Sequence, residues 1–224
     1  MLKTPILYAL ADKEPRWTDF NGMSVALGYE SEQIELERQQ IAGICDVSCL
    51  QRFGVKGPQA AQWLEQRNIA PPAGNNSWAT SGSGEGTSLV LCLGSSEFLI
   101  EQQLNNTSNG LPDDRSLSQP IAAGVYRVQR NDAAFILSGS RIQDLLSELC
   151  LLDLREQALA GDAVVMTQVA GVSATLLRQP SPGKHGGMVF RLWCDGSYGV
   201  YMWQTLTQLA GELGGGAVGL ATYL

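Results

Sequence analysis

The chain has 224 residues, 44% of them hydrophobic, so it can bury a core without disulfide or metal staples; the length suits one large domain or two small ones packed together. Fifteen Lys and Arg against 22 Asp and Glu leave a net charge of −7, and no basic run is present to neutralise successive phosphates, which argues against nucleic acid and anionic membrane as partners. The N-terminal MLKTPILYALADKEPRW has one lysine and a short apolar run, and no later segment reaches the roughly 18 apolar residues of a membrane span, so a cytoplasmic protein is expected.

In chain order, Cys45 and Cys49 come first as candidate chemistry. The five cysteines (45, 49, 92, 150 and 194) are an odd number with no C-x-x-C, and His185 is the one histidine, which speaks against a disulfide framework and a zinc site. Cys45 and Cys49 therefore read as small buried residues. From Leu50 the run LQRFGVKG alternates with period two and predicts a strand ending at Gly57. Pro58 then suits a first helical turn, and Ala60, Ala61, Trp63 and Leu64 give that helix an apolar face.

PAGNNSWATSGSGEGTS lacks the Gly-Lys-Ser/Thr ending of a phosphate loop and precedes a strand, so it reads as a plain loop. TSLVLCLGSSEFLIEQQ predicts a hairpin turning at Gly94-Ser95-Ser96. The polar stretch 105–119, rich in turn formers, is the expected boundary between two halves of a single unit spanning 1–224. Next, Ala134 to Leu137, Gly139 and a helix carrying Ile142, Leu145, Leu146 and Leu149 repeat the strand-glycine-helix order. Trp63-Leu64 and Leu145-Leu146 sit at the same offsets, six and seven residues, from their glycines.

AVVMTQVAGVSATLLRQ predicts a second hairpin near Gly171, and His185, between glycines, reads as a solvated loop residue. MVFRLW leads through Cys194 to Ser197 into an amphipathic helix with Val200, Trp203, Leu206 and Leu209, while GELGGGAVG reads as loop. Two related β-α-β-β-type halves with antiparallel sheet make the expected class α+β. Trp17, Trp78, Trp193, Tyr198, Tyr201 and Trp203 exceed what one core face needs, so an exposed apolar interaction surface is expected, although any single one reads more readily as core.

Thr4-Pro5, Leu7-Tyr8, Asp19-Phe20-x-Gly22, Tyr29, Ala42-Gly43, Asp46-Val47-Ser48 and Gly57-Pro58-x-Ala60 follow one another in an order and spacing that resembles the folate-binding, aminomethyltransferase fold of the glycine-cleavage T-protein. The resemblance implies that Asp-Val-Ser organises a turn before the strand. It also implies that this chain stops before the T-protein's C-terminal domain. The second half, FILSGSRIQDLLSELCLLDL through VFRLWCDGSYGVYMWQTL, is similar to the gamma subunit of heterotetrameric sarcosine oxidase.

Departures from the family pattern bear on function. Where a T-protein strand of the type I-x-D-D-L-I-V supplies a carboxylate, this chain has Thr87-Ser88; where Y-T-G-E supplies a glutamate, it has Ser181-Pro182-Gly183-Lys184, and lysine cannot accept a hydrogen bond. The arginine expected after the terminal G-L motif, here Gly219-Leu220, is replaced in the neighbourhood of Thr222-Tyr223. The resemblance thus implies a vestigial folate pocket of Trp78, Glu85, Thr87, Ser88 and Lys184, with no catalytic residue and no metal. It implies a non-catalytic subunit of a flavin-dependent amine oxidoreductase, the flavin lying in partner subunits and no cofactor in this chain. The alternative is tetrahydrofolate-dependent one-carbon transfer, with Glu85, Glu97 or Glu101 as the acid. A folate-dependent iron–sulfur accessory protein is a third class, but its K-G-C-Y/F-x-G-Q-E motif is absent.

Overall fold

A computed structural model describes residues 2–82, 87–104, 123–182 and 187–224. The elements run β1 (Leu2–Lys3), a 3-10 turn (Leu7–Leu10), β2 (Arg16–Phe20), β3 (Met23–Gly28), α1 (Glu32–Ala42), β4 (Gly43–Asp46), β5 (Arg52–Lys56), α2 (Ala60–Glu65), β6 (Ser77–Ser81), β7 (Ser88–Cys92) and β8 (Glu97–Gln102). They continue with β9 (Tyr126–Val128), β10 (Asp132–Ser138), α3 (Ile142–Leu149), β11 (Val164–Val169), β12 (Val172–Pro180), β13 (Met188–Asp195), α4 (Gly199–Glu212), β14 (Gly216–Ala217) and a closing 3-10 turn (Leu220–Tyr223).

The chain forms two compact units, one of Met1–Cys49, Asn131–Gly161 and Val165–Leu224, the other of Leu50–Arg130 and Asp162–Val164. Each holds one copy of the strand-glycine-helix pattern. The stretch 105–119 lies outside the described residues.

In the second unit the sheet order is β6-β7-β8-β5-β9, antiparallel throughout its pairings. Phe53, Val55, Val90, Cys92, Phe98 and Ile100 alternate onto one face, where Trp63 and Leu64 of α2 pack against them. Gly57 makes the turn at φ +125°, and a Cβ there would lie 2.2 Å from the Gly124 carbonyl oxygen, so only glycine fits.

In the first unit a six-stranded sheet runs β11-β12-β13-β10-β4-β14, beside a small sheet β1-β3-β2. Ile44, Phe135, Leu137, Leu176, Phe190 and Leu192 form a core with Leu145 and Leu146 of α3 and Met202, Trp203 and Leu206 of α4. Gly139 (φ +107°) turns the chain into α3 where a Cβ would stand 2.5 Å from the Ile41 carbonyl. The four residues at the matching offsets, Trp63, Leu64, Leu145 and Leu146, are all buried, as the repeat predicts. Each stabilises its helix against the sheet by about 1.5–3 kcal/mol. Both predicted hairpins are present, the second turning through Ala170 (φ 51°) and Gly171 (φ 77°).

Several expectations need correction. Ser77–Ser81, read as loop, is β6: its polar sequence is tolerated at a sheet edge because pairing with β7 supplies the hydrogen bonds that its side chains do not announce. Gly216–Ala217, also read as loop, is a parallel partner of β4; Gly215 before it allows an approach that would put a Cβ 2.2 Å from the Ala42 carbonyl oxygen. Of the six aromatics expected to mark a surface, Trp193 and Trp203 are buried and Trp78 half-buried, while Trp17, Tyr198 and Tyr201 are exposed. Helix periodicity placed Trp203 on the apolar face of its helix, where it is buried, and gave no face for the other five rings.

Candidate functional site

The motif residues up to Ser48 lie in the first unit, where Thr4, Asp46 and Ser48 meet, while Gly57-Pro58-x-Ala60 lies in the second. Asp46, at the end of β4, accepts at Oδ1 from the Ser48 N–H (3.0 Å) and hydroxyl (2.6 Å) and at Oδ2 from the Thr4 hydroxyl. Ser48 Oγ in turn accepts from the Ala134 N–H at 3.0 Å. The Asp-Val-Ser turn thereby ties the N-terminal Thr-Pro segment and β10 to β4. All five cysteines are free and buried; burial, then neighbouring Asp46, pushes the Cys45 thiol well above its ordinary value, so it is no thiolate. Among the described residues no group of His, Cys, Asp and Glu is arranged to hold a metal ion.

Glu35 was not singled out from the sequence, yet it organises the same region. Only 2% exposed within α1, its Oε1 accepts from the N–H groups of Tyr29 (2.5 Å) and Glu30 (2.8 Å) and its Oε2 from that of Gly219 (2.6 Å). This carboxylate satisfies the chain entering α1 and fastens the terminal Gly-Leu motif beside it. Gly219 is required there, because a Cβ would lie 2.2 Å from the Leu27 carbonyl oxygen. Tyr29 stacks at 5.9 Å on Trp203, and burial raises its phenol pKa well above the ordinary value. No local pattern marks the contact of Glu35 with Gly219, because the two are 184 residues apart.

Of the folate-pocket residues drawn from the sequence, Glu85 and Lys184 lie outside the described residues. The other three belong to the second unit. Trp78 pairs with Leu91, which pairs with Leu99, while Thr80, Leu89, Glu101 and Arg52 occupy one further row of the same register. Directly opposed residues share a face, so Trp78, Leu91, Leu89 and Glu101 lie on the face opposite the α2 core, and the alternation continues to Thr87. Trp78 and Thr87 are thus brought to one face. Ser88 is separated from them, since it alternates with Val90 and Cys92 toward the α2 core and is buried between Ser81 and Gln102.

Of the three acids considered from the sequence, Glu85 lies outside the described residues, and Glu97 and Glu101 stand on the Thr87 face, each paired. Glu101, fully buried, accepts from Arg52 Nε at 2.9 Å, and Glu97 accepts from Arg130 at 2.8 Å. The Trp78 indole N–H is buried without a hydrogen-bond partner among the described residues. Chemically this face offers a neutral hydroxyl, an indole and carboxylates already neutralised by guanidinium groups. It can exchange hydrogen bonds with a ligand, but it presents no uncompensated charge from these residues.

Two units of mainly antiparallel sheet, each with a strand-glycine-helix element, and a Thr/Asp/Ser knot in the first of them make an α+β fold of the aminomethyltransferase class. The family described as GCVT N-terminal domain matches residues 7–223, and the chain belongs to it. An aminomethyltransferase of Thermotoga sp. (strain RQ2) is 24% identical over 236 residues, covering 98% of this chain and 62% of that protein. Among solved structures, the glycine cleavage system aminomethyltransferase T of Bartonella henselae superposes with a TM-score of 0.74 at 16% identity, covering 99% of this chain and 60% of that one. The heterotetrameric sarcosine oxidase of Corynebacterium sp. U-96, solved in complex with pyrrole 2-carboxylate, superposes with a TM-score of 0.60 at 18% identity, covering 81% of this chain and 90% of that one. The chain therefore spans about 60% of the length of the aminomethyltransferases it matches.

Proposed function

We propose that the chain is a non-catalytic, T-protein-fold subunit of a heteromeric flavin-dependent amine oxidoreductase. The observation that carries this reading is the pairing of Glu97 with Arg130 and of Glu101 with Arg52 on the face where Thr87 replaces an acid. A folate bound for one-carbon transfer presents pterin N–H donors and develops positive charge at the reacting nitrogen, which calls for an ionised carboxylate acceptor. A threonine hydroxyl holds no charge, and a carboxylate held by an arginine loses a paired partner if it turns to a ligand. Thr87 and the two arginine-held carboxylates do not suit tetrahydrofolate. Each donor left without its acceptor costs about 1–3 kcal/mol, roughly tenfold or more in affinity.

The fold likeness to a heterotetrameric sarcosine oxidase supports an assembly in which partner chains hold the flavin. The test is isolation of the tagged chain from its own cells, followed by stoichiometry and a visible spectrum. A partner in fixed ratio carrying flavin absorbance is expected, as is no binding of tetrahydrofolate to the purified chain at micromolar concentration in calorimetry. Low-micromolar tetrahydrofolate affinity together with one-carbon transfer by the chain alone refutes the proposal, and weakening of that affinity by Glu85→Gln would then identify the displaced acid.

A further inference from the structure

We infer that the face of the first unit around Leu151 docks a partner protein chain presenting an apolar surface with an arginine or lysine at its centre. The inference rests on the subunit reading and deepens it, by naming the face that is covered and the chemistry that covers it. Leu151, just beyond α3, is 108% exposed, more open than a leucine in an extended peptide, and Leu152 beside it is exposed as well. Leu151 stands between two grooves. One, of about 770 Å³, is lined by Leu149, Leu151, Met166 and Trp193 and also by Asp132 and Asp195. The second, of about 490 Å³, runs from Cys150 to Arg155 along α3.

Exposed aromatics extend the same face. Tyr201 donates its hydroxyl to the Ala170 carbonyl (3.0 Å), beside Gly171 of the larger groove, and Tyr198 follows Asp195 by three residues; both rings are exposed, and Met166 is 51% exposed. Leu, Met and two Tyr around a cleft make the composition of a protein-contact core, in which tyrosine and methionine are enriched. Scattered exposed apolar side chains need no explanation; here the leucine knob and Met166 line one groove, and Tyr201 is fastened beside it.

Charge selects the occupant. Among the described residues the larger groove is lined by Asp132 and Asp195 and by no Lys, Arg or His. The Ser197 hydroxyl and N–H hold the Asp195 carboxyl below its usual range, so it is ionised at neutral pH. The basic residues flanking α3, Arg141 and Arg155, are paired with Asp144 and Asp153. A second copy meeting this face isologously would set Asp195 against an equally acidic surface, in a chain of net charge −7. An anionic lipid surface meets the same repulsion. A cationic side chain on an apolar partner face complements both the groove and the knob.

The test compares the chain alone with the complex it forms in its own cells, by amide hydrogen exchange, and measures affinity of Leu151→Arg and Asp195→Asn chains for that partner. Leu151 touches too little of the fold for its replacement to unfold it, so melting should be unchanged. Protection of 149–152, 166–171 and 198–201 in the complex is expected. So are about a tenfold or greater loss of affinity with Leu151→Arg and a shallower salt dependence with Asp195→Asn. A flavin-bearing partner that leaves these segments unprotected and tolerates Leu151→Arg overturns this inference while sparing the subunit reading. A flavin-free partner held through them has the opposite meaning. A chain that recovers no stoichiometric heterologous partner, or self-associates through Leu151, overturns the inference as well.

Discussion

Replacing Glu35 tests how the first unit closes. Its carboxylate serves three backbone N–H groups: that of Gly219, which is buried, and those of Tyr29 and Glu30, which are part-buried. Glu35→Ala leaves all three without this acceptor. The buried donor, stripped of a charged partner, costs about 2–3 kcal/mol, and each part-buried donor, which water can partly reach, about 1 kcal/mol, for a loss of about 4 kcal/mol. Glu35→Gln keeps a carbonyl toward Tyr29 and Glu30 and turns an NH2 toward the Gly219 N–H, so it forfeits chiefly the buried bond, about 2 kcal/mol. Glu32→Gln, on the exposed first turn of the same helix, should change stability by less than about 0.5 kcal/mol. Urea unfolding followed by the fluorescence of Trp203, in the core of this unit, measures all three. Equal losses for the Ala and Gln variants, or an Ala variant within about 1 kcal/mol of the parent, would refute the anchoring described.

Gly139→Ala should destabilise by at least about 2 kcal/mol, because φ is +107° and the new methyl meets the Ile41 carbonyl at 2.5 Å; an unchanged calorimetric melting temperature counts against the turn geometry. Leu145→Ala, opening a cavity beneath α3, should cost about 2–5 kcal/mol in the same measurement, and a loss below about 1 kcal/mol would mean that α3 is not packed as described. Burial, reinforced by Asp132 and Asp195, pushes the Cys194 thiol from 9.0 up to about 12. Since the folded value lies above the unfolded one, the associated stability is complete below about pH 9 and is lost as pH rises from there toward about 12. The parent should therefore lose stability across that window more steeply than Cys194→Ala, and parallel urea midpoints for the two would refute the linkage.

What could be read from the sequence was local. Alternation and a glycine placed β5 with α2, and β10 with α3, and the matching offsets put Trp63, Leu64, Leu145 and Leu146 inside, because strand period, helix period and the left-handed glycine turn depend on neighbours within a few residues. The Asp46-Val47-Ser48 turn was implied by the family resemblance, and its carboxylate reaches a residue only two positions on. The neutral hydroxyl at Thr87 could be named, but not that Thr87 and Ser88 point to opposite sides of the sheet with Ser88 toward the α2 core. That assignment needs the pairing of β7 with β8.

Tertiary structure alone decided the partners. Arg52 meets Glu101 across the β5–β8 pair, 49 residues apart, Arg130 just beyond β9 meets Glu97, 33 residues away, and Glu35, a polar helix residue that periodicity assigns to solvent, is buried by Gly219, 184 residues away. SWATS becomes a strand only because β7 lies beside it. The sequence determined the glycine-framed elements, since those follow from local backbone preference and side-chain pattern, while the family fold was legible through the resemblance of its motif residues to the aminomethyltransferases. Whether a carboxylate is available to a ligand, held by an arginine or spent on backbone N–H groups depends on which distant segment arrives next to it, and that is set only when the sheets pair and the helices close over them.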